Sequence, residues 1–452
     1  GNSVIISGGT VGLNVYGGIS MEGTVTGNSV IISGGTIGKD QDTGKVYGGF
    51  SNSGAVTGNV VTVSGGIIQG NVSGGWSNED GAVTGNSVTV SGGKIGKDVY
   101  GGYSKDGTVT GNNVTISNGK VNQTVSGGKS DSGEVTGNSV IISGGEVGVS
   151  AYGGYSNSGA VTGNVVTVSG GIISGAYGGN SSSGAVTGNS VAVSGGTISG
   201  NVYGGFSYSD TATGNSVAIS GGTISGDVYG GWSYSDTVTG NSVTISGDTT
   251  VNFNVYGGFS FRGGDSIGNS VTIINGTVDQ KVSGGYSETG AVTGNSVTIS
   301  GGKIDDKVSG GYSEAGAATG NSVTISGGTI NDKVSGGYNG TGGGSAIGNS
   351  VKISGGVVQG EVSGGFSEIG AATGNSVVIS GGEIHSGVYG GYSGSNGTVT
   401  GNSVYISGGY IGYEVYGGYS GSNGAVTGNS VTISGDPTFE TSTILYGGVS
   451  SG

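Results

Sequence analysis

Residues 214–239 read GNSVAISGGTISGDVYGGWSYSDTVT, and Gly240 begins the same pattern again. A repeat of this length is typical of proteins built by stacking one supersecondary unit, so it takes precedence over every other feature of the sequence. About 17 copies fill the 452 residues, and most of them start 25 to 28 residues after the previous one. The copies begin at residues 1, 27, 58, 85, 111, 137, 163, 188, 214, 240, 268, 294, 320, 348, 374, 401 and 428.

Each copy contains three segments with β-strand character. In the first, apolar residues alternate with polar ones, as Val297 and Ile299 do around Thr298, which predicts a strand with one buried face. The second segment reads Ile-x-x-x-Val followed by Tyr or Ser, as in residues 304–309, and the third is the stretch represented by residues 290–293. Glycine pairs and Gly-Asn steps separate the segments, as turns require.

One copy cannot bury its Val and Ile residues alone, whereas copies stacked in register bury them against each other. A helix is excluded because the apolar residues lack a 3.6-residue period and 114 of the 452 residues are glycine. Antiparallel hairpins are a less favoured alternative. We therefore predict an all-β fold, a single parallel β-solenoid over residues 1–452 with about 17 coils of roughly 26 residues and three short strands in each. Parallel crossovers are usually right-handed, so we predict that hand, and we expect the chain to be part of a longer protein.

An asparagine follows the first glycine of every copy, from Asn2 and Asn28 to Asn429. An amide side chain has both donors and an acceptor, so stacked copies predict an asparagine ladder. The residue before the second glycine pair is nearly always Tyr or Ser and comes in blocks of one type, which indicates contact between equivalent residues. The residue after that pair is mainly aromatic, with Lys129 and Asn180 as interruptions.

Part of this second aromatic column is a candidate ligand-binding surface. Rings in a row can stack on sugar rings or pack against another protein, although they can also serve only to hold the coils together. The candidate residues are Tyr286, Tyr312, Tyr338, Phe366, Tyr392 and Tyr419.

The sequence predicts no catalytic residues and no cofactor. His385 is the single histidine and cysteine is absent, which argues against a zinc site or a catalytic triad. Paired acids such as Asp305 and Asp306 occupy variable turn positions, where solvated side chains are the norm. Asp40 and Asp42 form a weak calcium candidate because acidic residues alternate there ahead of a glycine, but the rest of an EF-hand loop is missing.

Charge and hydropathy narrow the choice of partners. The net charge is −14 with only 13 Lys and Arg residues, which argues against nucleic-acid binding because that needs a basic surface. No apolar run is long enough for a membrane-spanning helix, so we predict no membrane insertion by this segment.

The pattern Gly-Asn-Ser-Val-Thr-Ile-Ser-Gly-Gly-Thr-Ile, followed by Val-Tyr-Gly-Gly-Tyr-Ser, resembles the Gly/Ser/Thr/Asn-rich repeats of large bacterial autotransporter-type adhesins. The resemblance covers essentially the whole chain. It implies a secreted β-helical passenger region at the bacterial cell surface or outside the cell. We therefore expect a structural or adhesive rod of a surface adhesin or fibre, without catalysis, that self-associates end to end or side by side or binds a glycan or host-surface ligand.

Two alternatives remain open at this point. One is a polysaccharide-binding or polysaccharide-cleaving β-helix protein, for which a cleft with clustered acids would be the expected feature. The other is a surface binder of glycans or ice that uses the outward threonine columns or the aromatic columns.

Overall fold

The computed structural model describes residues 1–39 and 43–451. Every regular element in these ranges is a β-strand, and equivalent strands of successive turns pair in parallel. The all-β parallel β-solenoid is therefore confirmed, with about 17 turns spaced about 26 residues apart. The chain falls into two compact units, Gly1–Gly226 and Asp227–Gly452, each built from such turns. The right hand of the coil and the single-domain organisation stay predictions.

Pairing is in register within both units. In the second unit, Ser296 pairs with Ser322 and Ile299 with Ile325, and in the first unit Val88 pairs with Val114. Paired strands lie about 4.8 Å apart, so a side chain meets its counterpart in the next turn at about that spacing. Residues at equivalent positions of successive repeats therefore form columns, as the repeat pattern predicts.

A full turn contains four strand types in chain order. The Asn strand follows the Gly-Asn step, the short strand ends on an apolar residue, the ring strand contains the second glycine pair, and the valine strand leads into the next turn. In the first unit the Asn strands are Val60–Val63, Ser87–Val90 and Asn113–Ile116, and the short strands are Ile67–Ile68, Lys94–Ile95 and Lys120–Val121. Asn and short strands merge in Ser3–Val11, Ser29–Ile37, Ser190–Ile198 and Ser216–Ile224, and the ring strand joins them in Ser139–Ser156 and Val165–Ser181. The separate ring strands are Val15–Ser20, Val46–Ser51, Val72–Ser77, Val99–Ser104, Val125–Ser130 and Val202–Ser207, and the valine strands are Val25–Thr26, Val56–Thr57, Val83–Thr84, Val109–Thr110, Val135–Thr136, Val161–Thr162, Val186–Thr187 and Ala212–Thr213.

The second unit repeats the same four types. Its Asn strands are Ser242–Ile245, Ser270–Ile273, Ser296–Ile299, Ser322–Ile325 and Ser430–Ile433, and its short strands are Thr249–Val251, Thr277–Val278, Lys303–Ile304, Thr329–Ile330 and Thr438–Phe439. The two types merge in Ser350–Val358, Ser376–Ile384 and Ser403–Ile411. Its ring strands are Val228–Ser233, Val255–Ser260, Val282–Ser287, Val308–Ser313, Val334–Asn339, Val362–Ser367, Val388–Ser393, Val415–Ser420 and Leu445–Ser450, and its valine strands are Val238–Thr239, Ser266–Ile267, Val292–Thr293, Ala318–Thr319, Ala346–Ile347, Ala372–Thr373, Val399–Thr400 and Val426–Thr427.

The strand boundaries differ from the prediction around the second glycine pair. The segment predicted over residues 304–309 is divided between Lys303–Ile304 and Val308–Ser313, and the latter strand runs through the glycine pair that we had assigned to a turn. Glycine is required at both positions of this pair because there is no space for a Cβ atom. A Cβ atom on Gly310 would lie 2.6 Å from the backbone nitrogen of Ser322, and one on Gly311 would lie 2.5 Å from the Asn321 Cγ atom.

Aliphatic columns fill the interior of the solenoid. In the second unit Val297, Ile299, Ile304 and Val308 are all buried within a single turn. In the first unit the valine strands supply one buried column, which consists of Val25, Val56, Val83, Val109, Val135, Val161 and Val186. Because the valine of one turn packs on that of the next, burial depends on stacking, as expected for a repeat protein.

The asparagine ladder is confirmed. The backbone N–H and the Nδ2 group of Asn321 donate to Oδ1 of Asn349, at 2.9 and 3.0 Å. Asn295 donates in the same way to Oδ1 of Asn321, and the Nδ2 group of Asn321 also donates to the carbonyl oxygen of Val292. Asn321 has no exposed surface, so these bonds satisfy its amide inside the protein.

Candidate binding surface on the ring strands

The two aromatic columns lie side by side on the same outer face of the ring strands. We call the residues before the second glycine pair the inner column and those after it the outer column. Tyr256 of the inner column meets Phe259 of the outer column edge to face, with ring centroids 4.9 Å apart. Tyr389 and Tyr392 meet in the same way at 5.1 Å. Tyr256 is only 8% exposed, whereas most outer rings are half-buried, so the outer column is the one that a ligand can reach.

The six predicted ligand-facing residues form one uninterrupted stack in the second unit. Successive centroids from Tyr286 to Tyr392 are 5.4, 4.7, 4.7 and 4.7 Å apart with nearly parallel planes, and Tyr419 follows at 5.1 Å. Such offset stacking contributes somewhat more than burial of the ring area alone. Their role in binding a ligand stays a prediction. The stacked residues are Tyr286, Tyr312, Tyr338, Phe366, Tyr392 and Tyr419.

Four consecutive inner-column positions beside part of this stack hold serine, and a shallow groove lies over the first two of them. Small buried serine side chains stand there in place of tyrosine rings. The outer-column rings of these turns therefore have no inner-column ring beside them in the same turn. The residues at the opposite side, two positions before each serine, are three lysines and Glu361. We call this feature the serine groove. The four serines are Ser283, Ser309, Ser335 and Ser363, and the groove itself is lined by Tyr256, Lys281, Val282, Ser283, Tyr286, Lys307, Ser309 and Tyr312.

Two of the lysines extend across the serine groove toward the rings. The Nζ atom of Lys281 lies 5.9 Å from the ring centroid of Tyr312, and that of Lys307 lies 5.9 Å from Tyr338. The third, Lys333, forms an ion pair of 2.8 Å with Glu361. Our sequence analysis missed this groove, although lysine recurs two residues before the serine at the repeat spacing and would have been the signal.

Carboxylates hold the tyrosine hydroxyl groups at the other edge of the stack. The Tyr312 hydroxyl donates to Oε1 of Glu314 at 3.0 Å, and the Tyr338 hydroxyl donates to Oε1 of Glu368 at 2.7 Å. Burial, followed by the nearby charges of Glu314 and Glu288, raises the pKa of Tyr286 to about 12. Neutral phenols are therefore favoured in the folded protein, which keeps the stack uncharged near neutral pH.

We expect the protein to lose stability in alkali. The pKa of Tyr286 is above its ordinary value of 10.0 in the folded state, so its contribution is complete below about pH 10 and disappears as the pH rises through 12. Unfolding midpoints measured across this range, together with phenolate absorbance, would test the expectation. Tyr286→Phe keeps the ring but removes the ionising hydroxyl. This variant should therefore lose less folding stability than the parent protein as the pH rises from 10 to 12. Equal losses would contradict the assignment.

The other residues considered in the sequence lie apart from the ring stack. Nε2 of His385 lies 3.5 Å from Oε2 of Glu383, and Asp305 pairs with Lys303 at 2.7 Å. Asp306 accepts a hydrogen bond from the backbone N–H of Lys307, which is a local turn contact. The calcium candidates Asp40 and Asp42 lie outside the described residues. Within residues 1–39 and 43–451, no group of three or more His, Cys, Asp or Glu side chains could hold a metal ion.

Because neighbouring rings cover most of each other's faces, the ring stack presents mainly ring edges, beside lysine ammonium groups and tyrosine-bound carboxylates that can bind a ligand. In the part of the chain that the structure describes, no helix is both long enough and apolar enough to cross a membrane. The chain matches no protein-family model, no curated protein and no solved structure.

Proposed function

We propose that this chain is an extracellular structural and adhesive rod of a bacterial surface adhesin or fibre, and that it catalyses no reaction. The observation that carries the proposal is the outer column, in which five of the six stacked rings stay partly exposed while Phe366 is buried. The resemblance of the repeats to autotransporter-type adhesins supports the same location, outside the bacterial cell or at its surface.

The repeated interior supports the structural part of the proposal. Each turn bonds to its neighbours through the asparagine ladder and the aliphatic columns, so the same contacts recur from turn to turn. Repeat proteins of this kind extend by adding turns without changing their packing, which suits a spacer that presents a binding surface. Self-association end to end or side by side would lengthen or thicken such a rod. Electron microscopy of the purified protein, with filaments or bundles as the expected result, tests that step.

The ring stack and the serine groove support the adhesive part. Half-buried aromatic rings already held in a fixed arrangement lose little conformational freedom when a partner binds, so their contact area is available for binding. We propose a glycan or another host-surface molecule as the ligand, because lysines and carboxylates can bond to sugar substituents while the exposed edges of the stacked rings give apolar contact.

Replacing Tyr286, Tyr312 and Tyr338 together with alanine is expected to reduce adhesion to host-surface glycans by on the order of tenfold or more, since each aromatic contact contributes about 0.5–1.5 kcal/mol. Binding to immobilised glycans and to cells would measure the loss, with circular dichroism as the test that the solenoid persists. The matched control is Tyr413→Ala, which removes a tyrosine that is 59% exposed and lies outside the stack. Unchanged adhesion in the triple variant would remove the ring stack from the proposal.

The serine groove favours one alternative, a polysaccharide-binding or polysaccharide-cleaving protein. The groove spans about two turns, and carboxylates at the other edge of the stack bind the hydroxyl ends of the rings, as in Glu314 and Glu368. Incubation with a panel of neutral and acidic polysaccharides, followed by analysis of the polysaccharide chain length, distinguishes a non-catalytic adhesive rod from a polysaccharide-cleaving protein. Cleavage that is lost in Glu314→Gln or Glu368→Gln would establish the enzyme and overturn the non-catalytic proposal.

A further inference from the structure

The inner column of the first unit contains two places where a single serine stands between two tyrosines. In ring-strand register, Ser73 lies between Tyr47 and Tyr100, and Ser126 lies between Tyr100 and Tyr152. Each serine leaves a gap one turn high in a column that otherwise consists of rings. The two gaps share Tyr100, but their surroundings differ.

The first gap is bridged by the edge of a ring from the chain itself, which stays in the outer column and stacks on Tyr103 at 3.9 Å. Trp76, the outer-column residue of the same turn as Ser73, places its ring centroid 5.7 Å from Tyr47 and 5.8 Å from Tyr100. It meets both rings edge to face, at 74° and 70°. Ser73 has no exposed surface beneath this packing. The edge of one aromatic ring can therefore contact both inner-column tyrosines that a serine separates.

The second gap is open. The outer-column residue of its turn is Lys129, which has no ring and places its Nζ atom 5.7 Å from the centroid of Tyr100 and 5.2 Å from that of Tyr155. A cavity of about 130 Å³ remains, and we call it the Ser126 slot. The residues lining this slot are Tyr100, Thr124, Ser126, Lys129, Tyr152 and Tyr155.

The dimensions of the slot match one aromatic ring. Tyr100 and Tyr152 are two turns apart, which corresponds to roughly 9.6 Å at the usual strand spacing. A ring halfway between them would lie about 4.8 Å from each, which equals the 4.7 and 4.8 Å separations that Tyr177 keeps from Tyr152 and Tyr203.

The polar groups near the slot favour an aromatic occupant over a sugar. The Tyr100 hydroxyl donates to Oδ2 of Asp98, and the backbone N–H and Oγ1 of Thr124 both donate to Oδ1 of the same carboxylate. These groups already have partners, so the several hydroxyls of a sugar would be desolvated with few bonds in return. An aromatic ring needs only the two tyrosine faces, and the Lys129 ammonium adds a cation–π contact.

We propose that the Ser126 slot binds an aromatic side chain (Trp, Tyr or Phe) presented by a partner protein. The inserted ring completes the inner column between Tyr100 and Tyr152, whereas the gap two turns earlier is bridged by the edge of Trp76 from the outer column. Ser126 lies at the base of the slot, where its hydroxyl can meet the single N–H of an indole or O–H of a phenol. This site lies in the first unit and is separate from the ring stack and serine groove of the second.

The test uses the full chain with N-acetyltryptophanamide and 4-methylphenol as probes, observed by nuclear magnetic resonance and by soaking crystals. We expect millimolar binding localised to the slot. Lys129→Trp recreates the pairing of Ser73 with Trp76 and should reduce probe binding at least tenfold, and Ser126→Tyr, which fills the gap directly, should do the same if the first variant fails to fold. Lys94→Ala, which removes an exposed lysine of the preceding turn, should leave probe binding unchanged.

Three results would overturn the proposal. One is the absence of any probe contact at the slot. Another is equal probe binding by the parent protein and by Lys129→Trp, or by Ser126→Tyr if Lys129→Trp does not fold. The third is occupation of the slot by glucose or glucuronate in parallel experiments while the aromatic probes stay unbound, which would identify a sugar site instead.

Discussion

Gly310→Ala is expected to destabilise the second unit by about 4 kcal/mol or more, which is at the high end for a single substitution. The added methyl carbon would lie 2.6 Å from both the backbone nitrogen and the backbone oxygen of Ser322, and it would also press on the carbonyl oxygen of Gly336. These are backbone atoms held in the register of the solenoid, so they cannot move aside as a flexible side chain could. A large decrease in the denaturant midpoint of unfolding is the expected measurement.

Gly447→Ala is the matched control for this substitution because Gly447 is the first glycine of the second pair in its own turn. A methyl carbon there would meet only the carbonyl oxygen of Asn429, at 3.8 Å, which is an ordinary contact. We expect a change within about 1 kcal/mol, since the lower chain entropy of alanine offsets small losses. Similar midpoints for Gly310→Ala and Gly447→Ala would show that the close approach between turns is not what requires glycine.

Asn321→Ala is expected to cost about 3 to 5 kcal/mol, because buried polar groups would lose partners inside the ladder. The change removes the acceptor for the backbone N–H and the Nδ2 group of Asn295, and it removes the donor to the carbonyl oxygen of Val292. It also leaves a cavity against Gly311, whose Cα the amide covers. Chemical denaturation of the full chain would measure the loss.

Asn331→Ala is the control for the ladder variant. Asn331 is exposed and its Nδ2 group donates only to the carboxylate of Asp305 at the surface. We expect a change within about 0.5 kcal/mol, as for most surface substitutions. If both alanine variants unfolded at the parental midpoint, the buried amide column would not be a source of stability.

The local sequence was sufficient to predict the columns, because a parallel stack in register places equivalent residues of successive copies over one another. Asn321 and Asn349 are the same repeat position, and so are Tyr312 and Tyr338, and both pairs are in contact. The Val and Ile alternation identified Val297 and Ile299 as buried in the same way. The role of the second glycine pair was not predicted, since glycine serves equally for turns and for close packing.

The sequence by itself determined that this chain is a stack of equivalent turns, which residues form columns and which of those columns are aromatic. Only the tertiary structure decided that the inner and outer columns share one face, that lysines extend over the serine groove, and that the edge of Trp76 bridges one gap while the gap at Ser126 stays open. The physical reason is that a repeat period specifies which residues are stacked along the solenoid. The direction of each side chain around a turn depends on packing between neighbouring strands and turns, which the period does not contain.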